Sequence, residues 1–133
     1  MGAVHGRSKQ ELLGDHFDGT GGDYWQRRPL CGKIDEIAGG SFKWREPPAI
    51  RGTGYVVRSL EAALWAFHHG TDYADVVLTA TNLGDDADTT AAIAGQLAGA
   101  IYGVQGIPEK WMMKLAMREV IDGFACRLCE LAE

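Results

Sequence analysis

The chain has few cysteines, no excess of basic charge and no long apolar run. Each shortage narrows what the protein can be. Its 3 cysteines are an odd number, which argues against a secreted disulfide framework. Cys126 and Cys129 have the spacing of a zinc-ligand pair, but no second pair accompanies them and the 4 histidines show no matching spacing. The expectation is two reduced, partly buried thiols one turn apart on a C-terminal helix. Lys and Arg number 13 against 18 Asp and Glu, giving a net charge of −5 and a pI near 5.3. That balance argues against non-specific binding to nucleic acid or to a membrane, which needs a basic surface. No apolar run approaches the roughly 18 residues of a membrane span, and the N-terminus lacks the apolar core of a signal peptide. A cytoplasmic location is expected.

What remains is globular. With 46% hydrophobic and 23% charged residues, the 133-residue chain supports one domain and shows no disordered tail. No alternating strand pattern is present, and the chain reads as mainly α. Ser8, with Glu11 three residues on, has the pattern of a capping box at a short helix. The stretch 14–22 reads as a loop. Its Gly19-x-Gly21–Gly22 lacks the Gly-Lys-Ser/Thr ending of a phosphate loop. Residues 30–50, with Gly39–Gly40 and Pro47–Pro48, are expected to wrap the surface. From Tyr55 onward the pattern is helical. Val56, Leu60, Ala63, Leu64 and Phe67 form one apolar face, Arg58 and Glu61 lie off it, and Gly70 ends the helix. A short helix over 72–81 sets Ala74, Val77, Leu78 and Thr81 on one side, and another runs over 89–103. One or two more cover 109–131 through Trp111, Leu115, Val120, Phe124 and Leu128. Gly123 costs that segment about 1 kcal/mol relative to Ala and marks a place for a break.

The stretch Asn82–Leu83–Gly84–Asp85–Asp86–Ala87–Asp88–Thr89–Thr90 carries the chemistry. Three carboxylates in four positions repel one another unless a cation or a set of donors compensates them. Oxygen-only ligands suit a hard divalent ion such as magnesium, manganese or calcium. The run from Thr90 to Gly103 reads as a tightly packed helix, so the acidic loop stands at a helix N-terminus, where the backbone dipole favours negative charge. Ala91, Gly95, Gly99 and Gly103, four apart, make a smooth stripe for a neighbouring helix. A calcium loop starting at Asp86 fails, because its sixth position is Ala91 and its twelfth Leu97. Plain capping remains open, with Asp88 or Thr89 accepting free amides and the other acids in solvent.

Asn82-x-Gly84-x-Asp86-x-Asp88–Thr89, running into Ala-Ile-Ala-Gly-Gln-Leu-Ala-Gly-Ala-x-Tyr-Gly, resembles the C-terminal metal motif of the ADP-ribosylglycohydrolase family. Arg51–Gly52–Thr53–Gly54–Tyr55–Val56–Val57 with Ser59–Leu60–Glu61–Ala62–Ala63–Leu64–Trp65, and Ile107–Pro108–Glu109–Lys110–Trp111, are similar to it in the same order. The resemblance covers about residues 50–112 and is loose over 1–49. It implies an all-α fold and hydrolysis of ADP-ribosyl glycosidic bonds, dependent on magnesium, with manganese as the substitute. It makes Asp86, Asp88 and Thr89 metal ligands, with Asp86 and Asp88 at the catalytic centre. Gly52, Gly54 and Tyr55 would border the bound ADP-ribose, with Tyr55 at the adenine. Asp85 stands where many members have Gly and is left out of the ligand set. The family's other acidic cluster, a Thr-Asp-Asp motif, is absent from the chain, and Thr71–Asp72 is only an approximation to it. Residues 1–133 are therefore expected to be a single partial domain, the C-terminal part of the family's helical domain, loop-rich over 1–50 and helical over 51–133.

The other chemical groups have plainer readings. Arg51 and Arg58 are candidates for a pyrophosphate, yet arginines near helix starts are usually solvated. His68 and His69 point about 100° apart on a helix, which suits a contact with the C-terminal dipole better than shared catalysis. Trp25, Trp44, Trp65 and Trp111 are expected to pack. Two classes of function follow. One is a hydrolase acting on an ADP-ribosylated protein or an ADP-ribose-type small molecule, completed by a separate N-terminal half. The other is a non-catalytic helical domain that binds a metal or nucleotide, or mediates assembly. Apolar faces left uncovered would favour a homo-oligomer.

Overall fold

Short-range signals begin and end the helices, and their order sets the architecture. A computed structural model of the chain describes residues 8–14 and 24–131, and every regular element among them is helical. Helix α1 (Lys9–Leu12) opens with the expected capping box. The Glu11 N–H donates to Ser8 Oγ at 3.2 Å, and the Ser8 N–H donates to Glu11 Oε2 at 2.6 Å. The expected loop over 14–22 lies outside the described residues apart from Gly14. Helices α2 (Tyr24–Arg27) and α3 (Gly32–Ala38) follow, then a 3₁₀ turn at Ser41–Lys43. Contrary to expectation, 30–50 does more than wrap the surface. Ile37, Phe42 and Ile50 are buried by their apolar side chains, and Ser41 is buried with its hydroxyl bonded to Glu61 of the next helix.

That helix is α4 (Val56–His69), which packs with α5 (Tyr73–Asn82) and α6 (Ala87–Tyr102) as a three-helix core. Small residues occupy its centre. Ala62, Ala63 and Ala66 of α4, Ala80 of α5, and Ala94 and Ala98 of α6 are wholly buried. Ala63 and Phe67 of the expected α4 face are in the core, and the departures are few. Val56 is 70% exposed, Leu60 and Leu64 are half-buried, and Glu61 lies inside. On α5, Val76 and Ala80 face the core, while Leu78 and Thr81 are exposed. The physical reason is spacing. Helices in close approach hold alanines between them and push larger side chains to the flanks, gaining dispersion contacts along both backbones. On α6 the innermost stripe is Thr90, Ala94 and Ala98, one position round from the expected one. Gly95 still meets α5: a Cβ there would stand 3.4 Å from the Tyr73 hydroxyl and 3.6 Å from Val77 Cγ2.

Gly70 ends α4 as expected. The chain turns back so tightly that a Cβ at 70 would sit 2.4 Å from Val76 Cγ2. Asp72 then caps α5, its Oδ1 accepting the Asp75 N–H at 2.8 Å. Of the one or two helices expected over 109–131, two form: α7 (Glu109–Met112) and α8 (Arg118–Glu130). The break falls at 113–117, where Met117 takes a left-handed φ of 56°, and not at Gly123, which lies inside α8. Every residue from 113 to 131 is exposed, so Leu115, Val120, Phe124 and Leu128 stand outside the core. Cys126 and Cys129 share that helix and are exposed free thiols rather than partly buried ones. Trp25, Trp65 and Trp111 are half-buried, whereas Trp44 is 67% exposed, with the Arg45 guanidinium 4.8 Å from its ring. No helix among the described residues is long and apolar enough to cross a membrane.

Candidate functional site

The acidic loop joins α5 to α6. Gly84 and Asp85 are consecutive left-handed residues, with φ of 74° and 51°. Glycine adopts that region freely and aspartate is among the few others that tolerate it, which accounts for Asp85 at a position where glycine also serves. Arg51 holds Asp85 in place, its Nη2 and Nε donating to Oδ2 at 3.1 and 3.3 Å. Both groups are substantially exposed, so the pair contributes at most about 1 kcal/mol. Its effect is to join the loop before α6 to the loop before α4.

Asp86 is the N-cap residue of α6, yet its side chain accepts no helix amide. Its Oδ1 accepts from Thr89 Oγ1 at 2.9 Å, and its Oδ2 lies 4.0 Å from where a Cβ on Gly54 would stand. Asp88 is exposed and has no hydrogen-bond or ion-pair partner among the described residues. Neither Asp88 nor Thr89 caps the helix, so capping does not account for these acids. Thr71–Asp72, the approximation to the second acidic motif, serves the start of α5 instead.

The glycine turn is fixed against the acidic loop. The Asp86 N–H donates to the Gly52 carbonyl at 2.7 Å, and the buried Thr90 donates through Oγ1 to the Asp86 carbonyl at 3.0 Å. A Cβ on Gly52 would stand 2.3 Å from Thr90 Oγ1, so only glycine fits at this contact. Ser59 Oγ donates to the Thr53 carbonyl, and the Tyr55 N–H donates to Thr53 Oγ1 at 3.3 Å. Tyr55 opens α4 without a side-chain cap, and its ring is half exposed. Gly52, Gly54, Tyr55, Asp86 and Thr89 thus share one corner of the molecule, where α4 and α6 both begin. Asp88 lies there too, in the first turn of α6.

Sequence reasoning missed the support beneath this corner. Glu61 is 2% exposed, and it accepts from Ser41 Oγ at 2.5 Å, Arg45 Nη1 at 2.7 Å and Arg58 Nη1 at 3.2 Å. A buried carboxylate is tolerable only with such compensation. The pair of arginines, one from upstream of the turn and one a helical step away, anchors the start of α4. His68 and His69 stand at the other end of α4, about 20 Å from Tyr55 at 1.5 Å per residue. Burial lowers the His68 pKa, and the nearby His69, Lys9 and Lys43 lower it further. His69 places Nδ1 3.0 Å from the Trp65 carbonyl, in the last turn of the helix.

Among the described residues, no group of three or more His, Cys, Asp or Glu side chains is arranged to hold a metal. The oxygen set at α6 is instead two carboxylates and a hydroxyl at a positive helix end. Hard oxygen donors of that kind fit part of a magnesium shell, which holds six oxygens and keeps several waters. The class of molecule is therefore an all-α scaffold that offers oxygen donors beside a glycine turn. The chain belongs to the ADP-ribosylglycohydrolase family, whose model matches residues 2–133. It is similar to an ADP-ribosylarginine hydrolase, Tri1, of Pseudomonas putida (strain GB-1), at 48% identity over 98% of this chain and 32% of that protein. An ADP-ribosyl-[dinitrogen reductase] glycohydrolase of Rhodospirillum rubrum is 38% identical over 55% of this chain and 25% of its own length. A solved ADP-ribosylglycohydrolase-related protein complex superposes with a TM-score of 0.70 at 40% identity, covering 77% of this chain and 35% of that one. The chain spans about a third of the length of the curated relatives it matches over nearly its whole length.

Proposed function

We propose that this chain supplies the magnesium-binding half of a site that hydrolyses ADP-ribosyl glycosidic bonds, with Asp86, Asp88 and Thr89 as the metal ligands. The observation that carries this reading is the side chain of Asp86. It sits at the N-terminus of a 16-residue helix, leaves the helix amides alone, and keeps one oxygen beside Thr89 and the other toward Gly54. Manganese would take the same oxygens. The bound ion supplies charge to bind ribose hydroxyls and to orient water. The chain's own residues do the rest. Gly52 and Gly54 allow backbone to approach the sugar, and the Tyr55 ring offers a face for the adenine. Hydrolysis adds water at the anomeric carbon as the bond to the acceptor breaks and the leaving atom takes a proton. An oxocarbenium-like transition state gains from the nearby carboxylates. The second acidic cluster that a two-ion site needs comes from outside these 133 residues, in a Thr-Asp-Asp-bearing partner segment, and the substrate is an ADP-ribosylated protein or a related small molecule.

Calorimetric titration of ADP-ribose, with and without magnesium, tests this on the chain and on Asp86→Ala combined with Asp88→Ala. Metal-dependent binding that disappears in the variant is the expected result. Equal binding by both proteins, or none by either, refutes the half-site.

A further inference from the structure

Two thiols on α8 play no part in the corner at Asp86. Cys126 and Cys129 are exposed and free, on a helix that stands clear of the core. Residues three apart on a helix lie about 60° apart round its axis, with Cβ atoms about 5–6 Å from each other. Two sulfurs of a tetrahedral zinc shell, each about 2.3 Å from the ion, stand about 3.8 Å apart. Rotation about χ1 closes that difference, so one turn of α8 presents a two-thiolate grip. The apolar stripe of the helix, Val120, Phe124 and Leu128, points the other way. Cys126 and Cys129 lie about 160° and 140° round from Phe124, so covering the stripe leaves the thiols open. Acids share the thiol side. Glu119, Asp122 and Glu130 lie within about 70° of its centre, against one cation, Arg118, which already meets Asp122 at 3.5 Å.

We propose that Cys126 and Cys129 are half of a zinc site, and that a second copy of the chain supplies the other two thiolates. Soft thiolates select zinc over the hard ions that suit the oxygen donors at Asp86, so the two sites are chemically separate. A closed zinc shell takes four ligands, and no third His, Cys, Asp or Glu among the described residues joins this pair. A twofold axis beside α8 repeats the pair and completes the four. Each thiol releases its proton to solvent as its sulfur binds, four protons per ion, and no electron moves. Without the ion, the surplus carboxylates on this side hold two copies apart. The divalent charge offsets that repulsion, so the association depends on zinc.

The test is titration of zinc chloride into the full chain, kept reduced by a phosphine that carries no thiol, with the mass followed by light scattering. One zinc per two chains and a doubled mass, reversed by EDTA, is the expected result. Cys126→Ser and Cys129→Ser sit on an exposed helix and leave the core intact, and each should abolish the doubling. Cys31→Ser removes a thiol from the start of α3 and should leave it in place. Cobalt(II) should give thiolate-to-metal charge-transfer absorption in wild type and none in Cys126→Ser, which separates this site from an ion held by the oxygens at Asp86. Zinc uptake that is equal in wild type and Cys126→Ser overturns the proposal. So does one zinc per chain without a change in mass, or a dimer that persists in EDTA.

Discussion

Replacing Gly52 by alanine puts a methyl carbon where the Thr90 hydroxyl stands. The built Cβ lies 2.3 Å from Thr90 Oγ1, 3.1 Å from its Cβ and 3.3 Å from its Cγ2, against an ordinary contact of 3.4 Å or more. The overlap exceeds 1 Å, and Thr90 is fully buried with its hydroxyl bonded to the Asp86 carbonyl. It cannot swing away without leaving that bond. Overpacking of this kind costs about 1–3 kcal/mol. Alanine also restricts the unfolded chain, which returns about 0.4–1 kcal/mol. The clash is the larger effect, so a net loss of about 1.5 kcal/mol is expected, or about 5 °C in melting temperature. Urea unfolding followed by tryptophan fluorescence measures it. Thr90→Ala removes the clashing oxygen, so the double variant should lose at least about 1 kcal/mol less than the sum of the singles. Wild-type stability in Gly52→Ala, or strict additivity in the cycle, would refute the contact as the reason for glycine at 52.

Glu61→Ala should destabilise by about 3 kcal/mol in the same assay, because Arg45 and Ser41 lose their buried acceptor. Glu61→Gln, similar in size, should recover only part of it, and full recovery would mean that charge is irrelevant there. His68 gives a pH dependence. Its folded pKa lies below the usual 6.5, so the unfolded state binds the proton more readily. Stability is therefore full above about pH 6.5 and falls as pH drops from there toward the lowered folded value. His68→Gln should flatten the slope in that window, and an unchanged slope would exclude His68 as its source.

The helical class and the order of the helices were legible in the sequence, because caps and breakers act over three or four residues. Ser8–Glu11 and Gly70 fall where those signals put them, whereas α6 begins at Ala87, before the expected start at 89 and with no side-chain cap. Which side of a helix faces inward was less legible. Periodicity marks the large aliphatics, but the centre of this core is filled by alanines, and Val56 is exposed although it shares the face of Ser59 and Ala63, because it stands at the first residue of α4. Glu61 escaped for a different reason. Two of its partners, Ser41 and Arg45, lie 20 and 16 residues away in sequence, and nothing local announces that they converge. The corner that gathers Gly52, Gly54, Tyr55, Asp86 and Thr89 was legible as two motifs. What joins them, the Asp86 amide on the Gly52 carbonyl and the fit of Gly52 against Thr90, depends on tertiary packing alone.

Helix α8 carries a consequence for anyone who measures this protein. Its 13 residues are all exposed, and an isolated helix of that length is marginal in water. Its hydrogen bonds thus obey a helix–coil equilibrium with shallow cooperativity, separate from the unfolding of the core. All 4 tryptophans lie outside it. Fluorescence reads the chain outside α8, whereas far-UV ellipticity adds a segment that melts on its own schedule. The two transitions will not coincide, and a free energy fitted to ellipticity as one step would average two unrelated processes.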